Sequence, residues 1–125
     1  MTSKFTIAID PLLNLVQIEM SGFYEEADIM AFEVARNEAH LQLRCGPNEH
    51  LTLIDIRLML IQSQEAVAGF KRILDNPTYR SKRIAIVVSQ TLARMQIERA
   101  AADRDVRYFT EDTSAAREWL LHCRT

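Results

Sequence analysis

The sequence predicts an α/β fold: a mixed five-stranded sheet that opens with an antiparallel hairpin and carries about four helices. Three observations lead there. Two short runs of alternating apolar and polar residues flank a turn near the start of the chain. Two later segments, Leu51–Ile56 and Arg83–Val88, are apolar on both faces, as strands covered by helices on two sides must be. Between and after them, apolar residues recur at helical spacing.

The elements follow in order. Phe5–Ile9 alternates and stops at Asp10-Pro11; Leu15–Met20 resumes with Val16, Ile18 and Met20 on one face, until Ser21-Gly22 breaks it. Tyr24–Leu43 reads as a long helix. Glu25, Glu26 and Asp28 crowd its first turn, where the helix dipole favours negative charge. Its apolar stripe runs through Ile29, Met30, Phe32, Val34, Ala35, Ala39 and Leu43, and Gly46-Pro47 ends it. After the strand Leu51–Ile56, Ser63 is in place to cap a second helix whose inward face is Ala66, Val67, Phe70, Ile73 and Leu74. Asn76-Pro77 stops that helix. The strand Arg83–Val88 leads to a third helix capped by Thr91, with Ala93, Ile97, Ala100 and Ala101 inward. Val106–Phe109 is the last strand. Thr113 or Ser114 caps a final helix with Ala116, Trp119 and Leu120 inward. The expected core includes Ile54, Ile56, Ile84, Ile86, Val88, Phe70 and Trp119.

Composition bounds the function. The chain has 125 residues, 48% hydrophobic and 26% charged, which fits one domain spanning 1–125. At this size a chain buries roughly two-thirds of its unfolded surface, enough for a core without disulfide or metal. The two cysteines, Cys45 and Cys123, form no CxxC pair, so a reducing, cytoplasmic setting is expected. The start shows no secretory pattern. No apolar run approaches the roughly 20 residues of a membrane span.

Net charge is -2, but it is unevenly placed. Residues 1–70 hold four basic side chains against ten acidic ones, net -6; residues 71–107 hold nine against four, net +5. That asymmetry fits solvated faces, head-to-tail self-association or an anionic partner. No aromatic residue interleaves the basic ones between 80 and 107, and the whole chain is acidic, so nucleic acid is excluded as a partner class.

Four features carry a resemblance: the hairpin Phe5–Met20 closed by Ser21-Gly22-Phe23; the strand Leu53-Ile54-Asp55-Ile56-Arg57; the run Lys82–Val88; and the ending Val106-Arg107-Tyr108-Phe109 with Ala115–Leu120. In these the chain resembles the STAS fold and, within it, the SpoIIAA-like proteins, a group related to the CRAL-TRIO lipid-binding domains. The resemblance spans nearly the whole chain. It implies a non-enzymatic binding or regulatory module, associated with small apolar or lipid-like ligands. Anti-sigma-antagonist STAS domains carry a phosphorylatable serine just after the central strand, near an aspartate. Asp55 matches the aspartate, but Arg57 stands two residues on and Ser63 is the next hydroxyl, so the resemblance does not extend to the phospho-switch.

The candidate site follows from the central strand. Asp55 and Arg57 lie at its carboxyl end, where open α/β sheets bind ligands, and a period of two points them to the same side. They are placed for a local ion pair or for a ligand. Leu58-Met59-Leu60-Ile61 is an apolar run where a polar loop is usual. It reads either as an extension of the strand or as a lip that touches a ligand, membrane or partner. Lys71, in the next helix, adds a positive group for an anionic head. The expected ligand-binding set is therefore Asp55, Arg57, Leu58, Met59, Leu60, Ile61 and Lys71. The expected occupant is a lipid or fatty-acid-like ligand; the alternative is a protein-interaction module, including a homodimer.

Other chemistry is weakly supported. His40, Cys45 and His50, with Glu38 and Glu49 nearby, match no zinc spacing and read as solvated side chains. The three glycines form neither a nucleophile elbow nor a phosphate loop. No enzyme activity, cofactor or metal is expected.

Overall fold

The computed structural model describes residues 2–46, 48–89, 92–102 and 105–122. The expected stop residue Pro47, the cap Thr91, the basic Arg104 and Cys123 lie outside them. The chain folds as β1 (Lys4–Asp10), β2 (Leu15–Gly22), α1 (Glu26–His40), β3 (Leu51–Met59), α2 (Gln64–Asp75), a single 3-10 turn (Pro77–Tyr79), β4 (Arg83–Val88), α3 (Leu92–Ala100), β5 (Val106–Thr110) and α4 (Thr113–His122). The strands form one sheet in the order β1-β2-β3-β4-β5. β1 and β2 are antiparallel and every later pair is parallel. The expected mixed five-stranded α/β sheet with four helices is what forms.

Local chemistry explains the joints. At the hairpin tip the Asp10 carboxylate accepts from the backbone N–H groups of Leu12 and Leu13 at 3.1 and 3.3 Å, and Asn14 takes the left-handed φ of 48° that asparagine tolerates. Gly22 has φ 83°, and a Cβ there would lie 2.3 Å from the Thr2 carbonyl oxygen. Only glycine fits. A capping box opens α1: the Glu25 N–H donates to Asp28 at 2.8 Å while the Glu25 side chain accepts at the third position. This box sets the start at Glu26 rather than Tyr24, and the helix ends at His40 rather than Leu43. Ser63 caps α2 as expected, accepting from the Ala66 N–H at 3.1 Å. α4 is capped by Asp112, not Thr113 or Ser114; its carboxylate accepts from Ala115 at 2.9 Å.

The sheet buries both faces, unequally. On one face Val16, Ile18, Met20, Ile54, Ile56, Ile84, Ile86 and Val88 meet Ile29 and Phe32 of α1, Ala66, Phe70 and Ile73 of α2, and Ile97 of α3. On the other, Leu15, Leu53, Ala85 and Val87 meet Ala116 and Leu120 of α4. Two core expectations change. Trp119 is half-buried: it lies 6.0 Å from Phe109, with the Arg107 guanidinium 5.8 Å above it, while Leu120 fills the core position. On α1, Met30 and Val34 face water and the buried positions are Ile29, Phe32, Arg36 and Ala39.

Candidate functional site

α4 crosses β3, β4 and β5 and covers only part of its face. Past its reach, at the carboxyl ends of the parallel strands, the sheet opens into a groove of about 480 Å³. Up to Arg57, residues of odd number on β3 face this side, away from the large core. Asp55 and Arg57 therefore emerge together beside Glu19 and Ser21 of β2, with Ser89 after β4 and Glu111 after β5.

Asp55 and Arg57 form a closed pair. Arg57 Nη2 lies 2.8 Å from Asp55 Oδ2, Nε donates to both carboxylate oxygens at 3.1 and 3.2 Å, and the Arg57 backbone N–H adds a fourth bond at 3.1 Å. Glu111 reaches Arg57 Nη1 at 3.9 Å, and the Ser89 hydroxyl donates to Glu111. Burial pushes the Asp55 carboxyl up, but the Arg57 side-chain and backbone bonds outweigh it and hold the group below its usual range. The pair is the local ion pair that the alternation allowed. Its charge is already balanced within the chain.

The apolar run does not behave as one unit. Leu58 and Met59 extend β3, and Leu60 and Ile61 follow as loop. Leu58, Leu60 and Ile61 are 72%, 41% and 53% exposed, whereas Met59 is 8% exposed and belongs to the core. The cause is a bulge. Asp55 pairs with Glu19 but Leu58 pairs with Ser21, so β3 carries one extra residue against β2 and the alternation slips. Met59 thus leaves the expected set of surface residues. Lys71 also stands apart: it is two turns into α2, pairs with Asp75 at 3.1 Å, and lines neither the groove nor the loop at 60–61.

The loop is held in place by a residue that sequence reasoning missed. Gln62 is buried. Its side-chain oxygen accepts from the Tyr24 N–H at 2.8 Å, and its amide donates to the carbonyls of Gly22 and Leu60 at 2.9 and 2.6 Å. Gln96 of α3 bonds both the N–H and the carbonyl of Gln62 at 2.7 Å. The Leu60 N–H donates to Gly22, which brings the chain at Phe23, 38% exposed, beside the lip.

A second polar cluster lies inside the molecule, where solvated side chains were expected. His50 is 2% exposed and its Nε2 is 3.1 Å from Ser81 Oγ, which also bonds Thr52. The His40 ring stands edge-on to His50 at 4.6 Å and to Tyr79 at 5.2 Å. Burial, with His50 and Arg36 nearby, pushes the His40 imidazole down to about 4. The cluster borders a cavity of about 50 Å³ between the sheet and helices α1 and α2, walled by Ile54, Phe70, Ile84 and Ile97. The spacing of Ile29, Phe32, Arg36 and Ala39 on one helical stripe was the signal that Arg36 turns inward. Among the described residues no group of three or more His, Cys, Asp or Glu side chains is arranged to hold a metal, and no helix is long and apolar enough to cross a membrane. The Cys45 thiol is pushed up by burial and by Glu49.

No family model and no curated protein matches this chain. Solved structures do. An uncharacterized protein of the DUF3478 family with a SpoIIAA-like fold, from Shewanella loihica PV-4, is similar at TM-score 0.72 and 21% identity over 95% of both chains. An anti-sigma factor antagonist from Mycobacterium paratuberculosis is similar at TM-score 0.62 and 11% identity over 94% of both chains. With its antiparallel opening pair, parallel remainder and four helices, this chain has the SpoIIAA-like, STAS-type fold.

Proposed function

We propose that residues 1–125 form a single non-enzymatic, cytoplasmic interaction module, which holds a protein partner against the rim formed by Leu58, Leu60 and Ile61. One observation carries this reading: three large apolar side chains are exposed at the carboxyl end of the central strand, Leu58 on the strand itself and Leu60 and Ile61 on the loop that Gln62 and Gln96 hold. Burying such a side chain is worth roughly 1.5–3 kcal/mol, so exposed apolar side chains on hydrogen-bonded backbone are a ready contact surface. The closed Asp55–Arg57 pair beside it supplies a polar border rather than an open charge. The Mycobacterium paratuberculosis protein of the same fold is an anti-sigma factor antagonist, in keeping with a protein partner. The reading includes no serine switch at the end of β3, because Arg57 holds the matching place and Ser63 is engaged as a helix cap.

The lipid-like reading shares the same rim, with an anionic head near Arg57; Lys71, expected beside it, stands apart. The exposed lip favours this reading; the interior does not. A cavity of about 50 Å³, against the roughly 150 Å³ that takes a benzene ring, is too small for a long acyl chain.

The test is the triple variant Leu58→Ser, Leu60→Ser, Ile61→Ser, which leaves Met59 in the core. A partner bound by the wild-type protein and lost by the variant, with no flotation of either on anionic liposomes, supports the proposal. Flotation of the wild type alone would support the lipid-like reading instead. A wild-type dimer that the variant turns into a monomer would identify the partner as a second copy.

A further inference from the structure

β1 is an edge strand with an unused side. It pairs with β2 along all seven of its residues, and among the described residues nothing pairs with its outer edge. In an antiparallel ladder the backbone N–H and C=O groups of alternate residues turn away from the neighbouring strand, so this edge presents a row of donors and acceptors. Folded proteins ordinarily blunt such an edge with a short strand, a charge in its middle, a bulge or a proline. The opposite edge follows that rule: β5 has five residues and carries the exposed Arg107 within the strand. β1 does not. It runs for seven residues in unbroken register with β2, and its two charges, Lys4 and Asp10, stand at its ends. Phe5, Ile7 and Ile9 pack against the large core yet stay only half-buried, as the outermost row of that face.

The sequence of β1 is its own antiparallel complement. About a two-fold axis at Ile7, Lys4 stands opposite Asp10 of a second copy, Phe5 opposite Ile9, and Thr6 opposite Ala8. Directly opposed residues share a face of the sheet. Lys–Asp pairs therefore close both ends on one face, and the two rows of Phe5, Ile7 and Ile9 meet on the other. A shift by one residue sets apolar side chains opposite polar ones, and a shift by two separates the charges. The end groups are available: Lys4 is exposed, and both hydrogen bonds that Asp10 accepts from the hairpin turn fall on Oδ1, which leaves Oδ2 for a cation. We propose that β1 is a homodimerisation edge, at which two copies pair antiparallel about Ile7 and join their sheets into one. The occupant is a second copy rather than a foreign strand because the charge pattern complements itself. The contact is isologous and uses both β1 edges, so it closes at two copies. It shares no residue with the rim of Leu58, Leu60 and Ile61 and does not depend on the partner reading.

The experiment is sedimentation equilibrium of the wild-type protein and two charge variants. The wild type is expected to show a reversible monomer–dimer equilibrium. Lys4→Asp and Asp10→Lys each set like charges opposite one another at both ends of the paired strands, and each should weaken the dimer about 10-fold or more. Mixed in equal amounts, the two variants again set Asp opposite Lys at both ends and should recover a dimer as a mixed pair. A wild type that stays monomeric up to about 1 mM, variants that dimerise as tightly as the wild type, or no gain on mixing would overturn the proposal. Loss of the dimer in the Leu58→Ser, Leu60→Ser, Ile61→Ser variant, with both charge variants unaffected, would move the interface to the rim and overturn it too. If Asp10→Lys does not fold for want of its turn bonds, amide exchange of the wild type decides. The outward N–H groups of β1 should exchange more slowly at high protein concentration than at low. Exchange along Phe5–Ile9 that ignores concentration would overturn the pairing.

Discussion

The two charged clusters of this molecule solve the same problem in opposite ways. At the rim, Arg57 meets Asp55 through four bonds and Glu111 through a fifth, longer contact, in a groove open to water. In the interior, Arg36 meets only an amide, a carbonyl and a ring, and His40 is kept neutral by its surroundings. An exposed pair that is already satisfied is worth little to stability and responds weakly to its environment. A buried group held away from its preferred protonation state stores a pH dependence. The interior, rather than the rim, is therefore where acid acts.

The largest effect sits on the apolar wall that both helices share. Phe70→Ala removes a buried ring that stands 5.5 Å from Tyr24 and should cost about 3–5 kcal/mol in urea unfolding. A loss near 1 kcal/mol would mean that the helix-covered face is not the main core. Next comes acid. The His40 imidazole binds its proton near 6.5 when unfolded and at about 4 when folded. Unfolding takes up a proton between those values, so stability is full above 6.5 and falls as pH drops toward 4. Between pH 7 and pH 5 the loss should be about 2 kcal/mol, and His40→Asn should flatten that slope. An unchanged slope would transfer the acid sensitivity to the carboxylates.

The opposite face should give less. Trp119 is half-buried, so Trp119→Ala should cost about 1–2 kcal/mol, below the range for a fully buried ring. A cost above about 3 kcal/mol would make the α4 face equal to the other. The smallest effect belongs to the rim pair: Arg57→Gln should change unfolding by less than about 1 kcal/mol. A larger loss would end the contrast between the two clusters.

Much of the fold was legible because periodicity is a local property. The switch from alternating strands to helical spacing located the five strands and four α-helices, though not the 3-10 turn Pro77–Tyr79, and a period of two set Asp55 and Arg57 on one side. What failed was non-local. Met59 was misplaced because the bulge depends on how β3 pairs with β2, and no spacing within Leu58–Ile61 encodes that. Trp119 and Leu120 were not separated, since which one a half-covered face buries depends on where α4 ends up. The interior cluster joins the end of α1, the start of β3 and the turn before β4, three segments far apart in the chain. Polar residues in each looked solvated when taken singly.

The Gln62 side chain restricts what the sequence can become. Its one acceptor and two donors serve three backbone groups on either side of it. Glutamate has the same reach but no donor at neutral pH, and it would face two carbonyl oxygens. Leucine fills the volume but abandons all three groups. Asparagine has the right chemistry and a shorter arm. So at a loop position, where substitution is usually free, an isosteric charge change and an isosteric apolar change are both excluded. Leu58 and Ile61 beside it, 72% and 53% exposed, are under far less constraint. On the proposed reading, partner choice can therefore drift through those side chains while one amide keeps the loop beside them constant.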